Sequence, residues 1–324
     1  MKVQKIKMFL FSFLLLSPFV TFAHVKWFAM PGKDIPFYKI TDPNVILAIL
    51  LGLLIIGFGI YLENKLKVPN RLSASIQKWA PKVLSIASIG FGLAFIIFSL
   101  QGFIFAPNLP AVGAMGASML ALQFLAGIMI LLGLYERVGG LLIILLFILG
   151  INEYGMYEML DTLEMIGFAI YVIIIGRPKW KIRDTNLIEP VTHPMHSYGL
   201  PILRAGTGLN LIILGFTEKI LTPSLTDNFL STHNWNFMQS LGFEGFTNYW
   251  FAFSAGSVEI LFGIFFLLGL VTRTTTICLA IFLATTLVLL GPVELVGHLP
   301  HFSIAIVLLV LGAGSKLVLV PHNK

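Results

Sequence analysis

The sequence predicts an all-α membrane protein, a helical bundle with nine transmembrane helices after a signal peptide. Three observations support this: 57% of the 324 residues are hydrophobic and 11% are charged, the mean hydropathy is +0.92, and long apolar runs recur along the chain. A helix needs about 20 mainly apolar residues to cross a hydrocarbon core of about 30 Å. Most of this chain is therefore expected to be surrounded by lipid.

The first 23 residues have the three-part pattern of a secretory signal peptide. Lysines precede an apolar stretch over 8–19, and small or polar residues follow up to Ala23. Cleavage after Ala23 would make His24 the first residue, and its α-amine and ring nitrogen would then form a chelating pair suited to copper. Because cleavage often leaves an arbitrary first residue, a His24 without function is the alternative.

Nine further apolar runs are each predicted to form a transmembrane helix. They lie at 44–62, 83–104, 116–134, 138–152, 158–176, 200–220, 250–270, 274–291 and 298–316. If the first of these helices enters from outside, the inner side carries fourteen Lys and Arg residues and the outer side of the mature chain carries four. The positive-inside rule then predicts a bacterial-type inner-membrane protein with its mature N-terminus outside and its C-terminus in the cytoplasm.

An internal similarity predicts two tandem four-helix units. An offset of 136 residues aligns 123–176 with 259–312 without a gap, and an offset of 116 aligns Gly92 with Gly208. Since each unit has four helices, both run in the same direction and form a parallel repeat. The predicted domains are a signal peptide at 1–23, an extracytoplasmic segment at 24–43, an additional transmembrane helix at 44–62, a first unit at 83–176, a cytoplasmic linker at 177–199 and a second unit at 200–316.

The two units differ at positions that can carry chemistry. The corresponding pairs are Gly102 and Glu218, Gln123 and Glu259, Thr162 and His298, and Met165 and His301. In each pair the ionisable residue belongs to the second unit. A protein that serves only as a scaffold does not require its ionisable residues to be concentrated in one unit. We therefore predict that the functional site lies in the second unit.

The second unit also contains a recognisable set of residues. These are Leu203-Arg204-Ala205-Gly206 opening a helix, Glu218-Lys219 at its outer end, Glu259 followed by Gly263 and Gly269, and then Thr272-Arg273. This set resembles the DoxX-like family, including the related DoxD-type subunits, over 200–316 and more weakly over 83–176. The resemblance implies four-helix membrane units linked to quinone-dependent thiosulfate oxidation or to membrane complexes that handle oxidative stress.

Glu259 is the central candidate for a functional residue. It lies nine residues from Trp250 at the outer end of its helix, so a rise of 1.5 Å per residue places it near the bilayer centre. A carboxylate at that depth must pair, become protonated or face water. It either forms a structural pair with Lys219 or Arg204, or it carries a proton or binds a cation together with Glu218.

Glu294, His298 and His301 are candidate metal ligands, with His24 as a further one. Their spacings of four and three place them on one helix face, with Pro300 in the first turn, where its missing N–H is harmless. Two imidazoles and a carboxylate can bind zinc, copper or iron. The alternative is that these are interfacial polar residues that cap a helix.

Several classes of function are not expected. The basic residues are spread over short connectors and form no patch, so nucleic-acid binding is not predicted. Cys278 is the single cysteine, which excludes an intrachain disulfide and a paired-cysteine metal site. The sequence has no phosphate-binding loop and no nucleophile motif, so a soluble-type active site is not predicted.

Three functions remain open. The first is an outward-facing Glu/His site that binds or transports a transition metal or a proton. The second, which the resemblance implies, is a membrane subunit of a quinone-linked redox system with a redox-protein partner, because the chain has no evident haem or flavin motif; enzymatic activity is expected only in this case. The third is a scaffold in the lipid bilayer without chemistry of its own.

Overall fold

The computed structural model describes residues 25–27, 30, 32–65, 75–76, 78–176 and 193–321, except for the side chains of 193, 194, 289, 290 and 292–294. The predicted signal peptide, His24, most of the linker and the Glu294 side chain lie outside this described part. Within it the chain is helical, and its only β-type pairing is one isolated bridge between Phe103 and Pro110. The predicted all-α class is confirmed.

Helices occupy each of the predicted apolar runs. In chain order they are α1 (Pro43–Lys65), α2 (Ala80–Gln101), α3 (Gly113–Leu132), α4 (Glu136–Tyr154), α5 (Met156–Leu160), α6 (Leu163–Ile175), α7 (His193–Leu214), α8 (Pro223–His233), α9 (Phe237–Ser240), α10 (Asn248–Leu268), α11 (Thr272–Leu290) and α12 (Pro292–Leu311). A π-helical turn at Gly215–Ile220 continues α7.

Six described helices are long and apolar enough to cross a membrane. They are α1, α2, α3, α4, α10 and α7 together with its π-helical turn. Three more helices, α6, α11 and α12, are apolar but shorter over the residues searched, with 10–17 residues each. A multi-pass membrane protein is therefore supported, while nine spans stay a prediction.

Proline and glycine set several of the helix ends. Pro43 and Pro223 begin α1 and α8, where the missing N–H has no partner in any case. Gly133 and Gly269 end α3 and α10 with φ of 63° and 67°, a left-handed conformation that glycine adopts without a steric penalty. The loops between the long helices can therefore be short.

The predicted position of Pro300 was wrong. Helix α12 begins at Pro292, directly after Gly291, so Pro300 lies inside the helix and not in its first turn. Pro292 occupies the first position of the helix, where proline is favoured. The helix therefore begins eight residues before Pro300. The helix interior at Pro300 consequently lacks one backbone hydrogen bond.

Eight helices form a closed ring in which each packs on the next. The order around the ring is α2, α3, α4, α6, α7, α10, α11, α12 and back to α2. Helix α1 lies outside the ring and packs on α10, whereas α8 packs on α10 and on the π-helical turn. The segment at 221–249, which connects the π-helical turn to α10, is largely helical and covers one end of the bundle.

The two halves of the ring contain matching geometry at the offsets found in the sequence. The guanidinium of Arg137 donates to the Ile173 carbonyl at 2.9 Å, and that of Arg273 donates to the Leu309 carbonyl at 3.0 Å. Tyr135 and Val271 both adopt a left-handed backbone before α4 and α11. These matches support the tandem repeat, which remains a prediction.

Candidate functional site

Two consecutive charged residues are completely buried at one end of the bundle. Glu218 and Lys219 lie on the π-helical turn, and each has 0% of its surface exposed. A π-helical turn widens the helix locally and is often found at functional positions. We call this part of the bundle the Glu218 end.

Lys219 lies between two carboxylates from different helices. Its Nζ is 2.9 Å from Oε2 of Glu259 on α10 and 3.8 Å from Oε2 of Glu218. Glu259 is also buried. The predicted structural pair between Glu259 and Lys219 is therefore formed. With Glu218 beside it, three of the four residues predicted to carry the chemistry lie together.

The N-terminal segment closes the site from outside the ring. The backbone N–H of Val25 donates to Oε2 of Glu218 at 2.6 Å, and Val25 is fully buried. Beside it, Lys26 Nζ lies 2.6 Å from Oδ2 of Asp161 and 3.4 Å from Oε2 of Glu158. Burial lowers the pKa of Lys26, but its attraction to Asp161 and Glu158 outweighs this effect and raises the pKa above its usual value.

Among the described residues, carboxyl groups outnumber ammonium groups at the Glu218 end. Four carboxyl groups, those of Glu158, Asp161, Glu218 and Glu259, surround the two ammonium groups of Lys26 and Lys219. Among the described residues, neither Oε1 of Glu218 nor Oδ1 of Asp161 has a hydrogen-bond partner, although both atoms are buried. Buried charge of this kind is stable only when it is compensated.

A second buried polar cluster lies deeper in the ring. His301 Nε2 on α12 is 2.8 Å from Oε1 of Glu164 on α6, and the Asn210 amide on α7 donates to Oε2 of the same carboxylate at 3.1 Å. His298 is fully buried, and its ring centroid lies 5.2 Å from that of His301. This cluster joins helices from both halves of the chain.

Arg204 is not brought to the other predicted residues. It lies fourteen residues before Glu218 on the same helix, roughly 21 Å away at 1.5 Å per residue. Its guanidinium donates to the carbonyls of Phe266, Leu267 and Leu317. It therefore satisfies the last carbonyl groups of α10 at the opposite end of the bundle, which we call the Arg204 end.

The predicted metal ligands are only partly described. His298 and His301 share one face of α12, as their spacing predicted, but His24 and the Glu294 side chain lie outside the described part of the chain. Within that part, no group of three or more His, Cys, Asp or Glu residues is arranged to hold a metal ion. The metal site stays a prediction.

Some residues of these clusters were not identified from the sequence. Asn210 was missed, although a carboxamide in the middle of an apolar helix is itself a signal of a buried polar contact. Val25 and Lys26 were treated as part of an outer segment, and only the fold shows that this segment reaches Glu218 and Asp161. Contacts between residues so distant in the chain cannot be obtained from spacing.

Comparison with known proteins finds a family match within the second half of the chain. The DoxX family model matches residues 199–292, which include most of α7, all of α11 and the residues Glu218, Lys219 and Glu259. No curated protein and no solved structure matches the chain. The predicted DoxX-like resemblance is confirmed over the matched segment.

Proposed function

We propose that this DoxX-like membrane protein binds an exchangeable cation at the Glu218 end, and that the cation is a proton shared among Glu218, Lys219 and Glu259. The excess of buried carboxyl groups over ammonium groups supports this proposal. A single lysine cannot neutralise both carboxylates that flank it. A proton on one of them restores neutrality without the larger cavity that a coordinated metal ion requires.

Exchange of this proton requires a second acceptor and contact with solvent. Glu158 provides the contact, because its side chain is 36% exposed and it shares Lys26 with the buried Asp161. The Glu164–His301 pair, deeper in the ring, provides an acceptor farther along the bundle. The protein would thus take up a proton at the Glu218 end and hold it inside the membrane.

Infrared difference spectroscopy of the protein in lipid vesicles tests this function. We expect a protonated-carboxyl band that changes with pH in the wild type and is lost in Glu218→Gln or Glu259→Gln. Glu153→Gln is the matched control, since Glu153 is an exposed carboxylate on α4. An unchanged band in both buried-site variants would contradict the proposal.

A metal titration separates the two kinds of cation. If the site holds a proton, Zn²⁺, Cu²⁺ or Fe²⁺ leaves the melting temperature unchanged. A metal-dependent rise that disappears in Glu259→Gln would assign the site to a metal ion, because a ligand that binds only the folded state stabilises it by mass action.

We further propose that the Glu218 end faces the outside of a bacterial-type inner membrane. Seven of the eleven described Lys and Arg residues lie at the Arg204 end, which supports this orientation under the positive-inside rule. These seven are Lys65, Lys78, Lys82, Arg137, Arg204, Arg273 and Lys316.

Cysteine labelling in intact cells tests the orientation. In a Cys278→Ser background, Asn234→Cys at the Glu218 end should react with a membrane-impermeant maleimide. Ser315→Cys at the Arg204 end should react only after the cells are permeabilised. Both positions are exposed, so the reverse pattern would place the Glu218 end in the cytoplasm.

The two halves are proposed to be copies of one four-helix unit. The matched arginine contacts and left-handed residues support this interpretation, and so do the two glycine pairs at which α2 meets α3 and α7 meets α10. A Cβ on Gly92 would lie 2.6 Å from the Gly127 carbonyl oxygen, and one on Gly208 would lie 2.7 Å from that of Gly263. Only glycine permits such an approach.

A further inference from the structure

Four ring helices enclose a cavity at the Arg204 end of the bundle. It has a volume of about 430 Å³ and is lined by the first residues of α2 and α7 and the last residues of α6 and α12. In the order of the ring, α6 and α7 lie opposite α12 and α2, so the cavity lies inside the ring and not on its lipid-facing surface. We call it the vestibule, and its polar lining residues are Tyr171, His196, Ser197 and Ser315.

The vestibule contains a buried hydroxyl group that needs a partner. Tyr171 is 2% exposed, and none of the described residues forms a hydrogen bond with its hydroxyl. A buried tyrosine normally finds a partner for this group, and water supplies one where a cavity is polar and large enough. The vestibule has room for several waters, and Ser197, Ser315 and His196 offer them further partners. We therefore expect the vestibule to be hydrated.

A much smaller cavity lies deeper in the ring, beside the Glu164–His301 pair. Its volume is about 10 Å³, close to the space that one water needs. The Thr276 hydroxyl also lines it and donates to the Thr272 carbonyl at 2.7 Å, so its oxygen can still accept a hydrogen bond. One water in this cavity would thus have polar partners on two sides.

An apolar layer, formed by Phe91, Phe168 and Leu203, separates the two cavities. Glu164 and Tyr171 are seven residues apart on α6, which places them on one face and roughly 10.5 Å apart along the helix. Phe168 lies between them, fully buried, and stacks on Phe91 with 3.8 Å between the ring centroids. On α7, the fully buried Leu203 lies between the residues that line the two cavities. The barrier between the buried pair and the vestibule is therefore about two helical turns thick.

We propose that the vestibule connects the Glu164–His301 pair with the solution at the Arg204 end, so that this protein conducts protons across the membrane. This inference rests on the proposed proton site at the Glu218 end and adds an exit to it. When water enters the apolar layer, a proton leaves the pair, passes to water in the vestibule and reaches the solution as hydronium. The pair is then protonated again from the Glu218 end, and no electron is transferred. While the layer is dry it stops conduction, as apolar constrictions do in channels.

Thiol accessibility tests the vestibule apart from any proton movement. In a Cys278→Ser background, Tyr171→Cys and Phe168→Cys are matched, because both replace a buried aromatic residue on one face of α6. A charged methanethiosulfonate, which reacts with thiols that are in contact with water, is applied to membrane vesicles of each orientation. Tyr171→Cys should react only from the Arg204 end, whereas Phe168→Cys should react from neither side.

Ser197→Cys provides a second position in case Tyr171→Cys does not fold. Ser197 is half-buried and lines the same cavity, so its thiol should also react only from the Arg204 end. Equal labelling of Phe168→Cys and Tyr171→Cys, or no labelling at either vestibule position, would overturn the proposal.

Proton flux into lipid vesicles tests the passage itself. The vesicles contain a pH-sensitive dye, and a potassium gradient with valinomycin provides the driving force. Phe168→Ala removes a ring from the apolar layer, so the flux should rise about tenfold, the change that about 1.4 kcal/mol of barrier height produces. Leu203→Ala should act in the same direction if Phe168→Ala does not fold. Phe58→Ala is the control, since Phe58 is exposed on α1, and it should conduct like the wild type.

Glu164→Gln shows whether the flux passes through the buried pair. An amide does not take up and release a proton near neutral pH, so this change should abolish the flux in the wild type and in Phe168→Ala. Equal flux in Phe168→Ala, Leu203→Ala and Phe58→Ala would contradict the proposal. The pH-dependent carboxyl band that depends on Glu218 would persist in that case, so the proton site and the passage can fail independently.

Discussion

The two halves of the ring place an amide and a carboxylate at corresponding positions on α3 and α10. The Gln123 side chain accepts a hydrogen bond from the Phe105 N–H at 2.9 Å and donates to the Phe103 carbonyl at 3.0 Å and to Ser99 Oγ at 3.2 Å. Glu259 instead pairs with Lys219. A neutral, satisfied amide stabilises a loop, whereas a carboxylate requires a counter-ion and can exchange a proton.

The preceding helices differ in the same way. Gly102 ends α2 with φ of 85°, which turns the chain back toward Gln123. Glu218 takes the corresponding position in the second half, and there the helix continues as a π-helical turn. A left-handed conformation is unfavourable for glutamate. Glycine at this position therefore ends the helix in the first half, whereas glutamate continues it into a buried charged site in the second.

Removal of the shared counter-ion should have the largest effect. Lys219→Met leaves Glu218 and Glu259 without their ammonium group, which should lower the free energy of unfolding by about 3–5 kcal/mol. Chemical unfolding in detergent measures this change. The double variant Lys219→Met, Glu259→Gln removes the charge of Glu259 as well, which leaves Glu218 as the ionisable member of the three, and it should recover part of the stability; no recovery would show that the charges are not coupled.

A carboxylate in the first half should also be destabilising. Gln123→Glu removes the amide donors to Phe103 and Ser99 and buries a carboxylate beside Phe103, an apolar residue at the position that corresponds to Lys219. A loss of about 3 kcal/mol is expected from the unsatisfied groups. Thermal unfolding in parallel with Gln123→Met, which is neutral, separates the charge from the lost hydrogen bonds. Equal losses in the two variants would contradict the proposed role of charge.

Exchange of a residue for its counterpart tests the deeper cluster. His301→Met introduces methionine, the residue at the corresponding position 165 of the first half. It removes the His301 contact of Glu164, while Asn210 remains as a donor. We expect a loss of about 2 kcal/mol, since one hydrogen bond to the buried carboxylate is kept. A melting curve measures the loss, and His301→Gln, which can still donate, should recover most of it.

The smallest effect is expected at the partly exposed entrance. Because the pKa of Lys26 is raised in the folded protein, its contribution to stability is complete below the unfolded value of about 10.4 and is lost as pH rises through the folded value. Lys26→Gln should therefore be less stable than the wild type near neutral pH by under about 1 kcal/mol. The two melting temperatures should converge in strongly alkaline buffer; a constant difference would exclude the ion pair as its cause.

Much of the fold could be predicted from the sequence. Apolar runs placed α1 to α4 and α10 within a few residues, because lipid requires long apolar helices whose backbone groups are satisfied internally. Helix α7 begins at His193, seven residues before its predicted run. Boundaries were less accurate where a helix begins before its apolar run, as at Pro292, since hydropathy alone does not mark a helix cap. The run at 158–176 was predicted as one helix, but a break at Asp161 and Thr162 divides it into α5 and α6.

The candidate site was predicted only in part. The offset between the halves identified Glu218, Glu259, His298 and His301, because an ionisable residue that replaces a neutral one stands out in an alignment. The family resemblance added Lys219, and also Arg204, which lies at the opposite end of the bundle. An alignment reveals unusual residue types but contains no distances between helices.

The sequence by itself determined that this chain is helical and that its long helices are apolar enough to lie in lipid, because these properties depend on local composition and spacing. Only the tertiary structure decided which ionisable residues meet. Lys219 lies between two carboxylates, Glu164 is shared by His301 and Asn210, and Val25 donates to Glu218 across 193 residues of the chain. Such contacts depend on how the helices pack around the ring, which no single helix specifies.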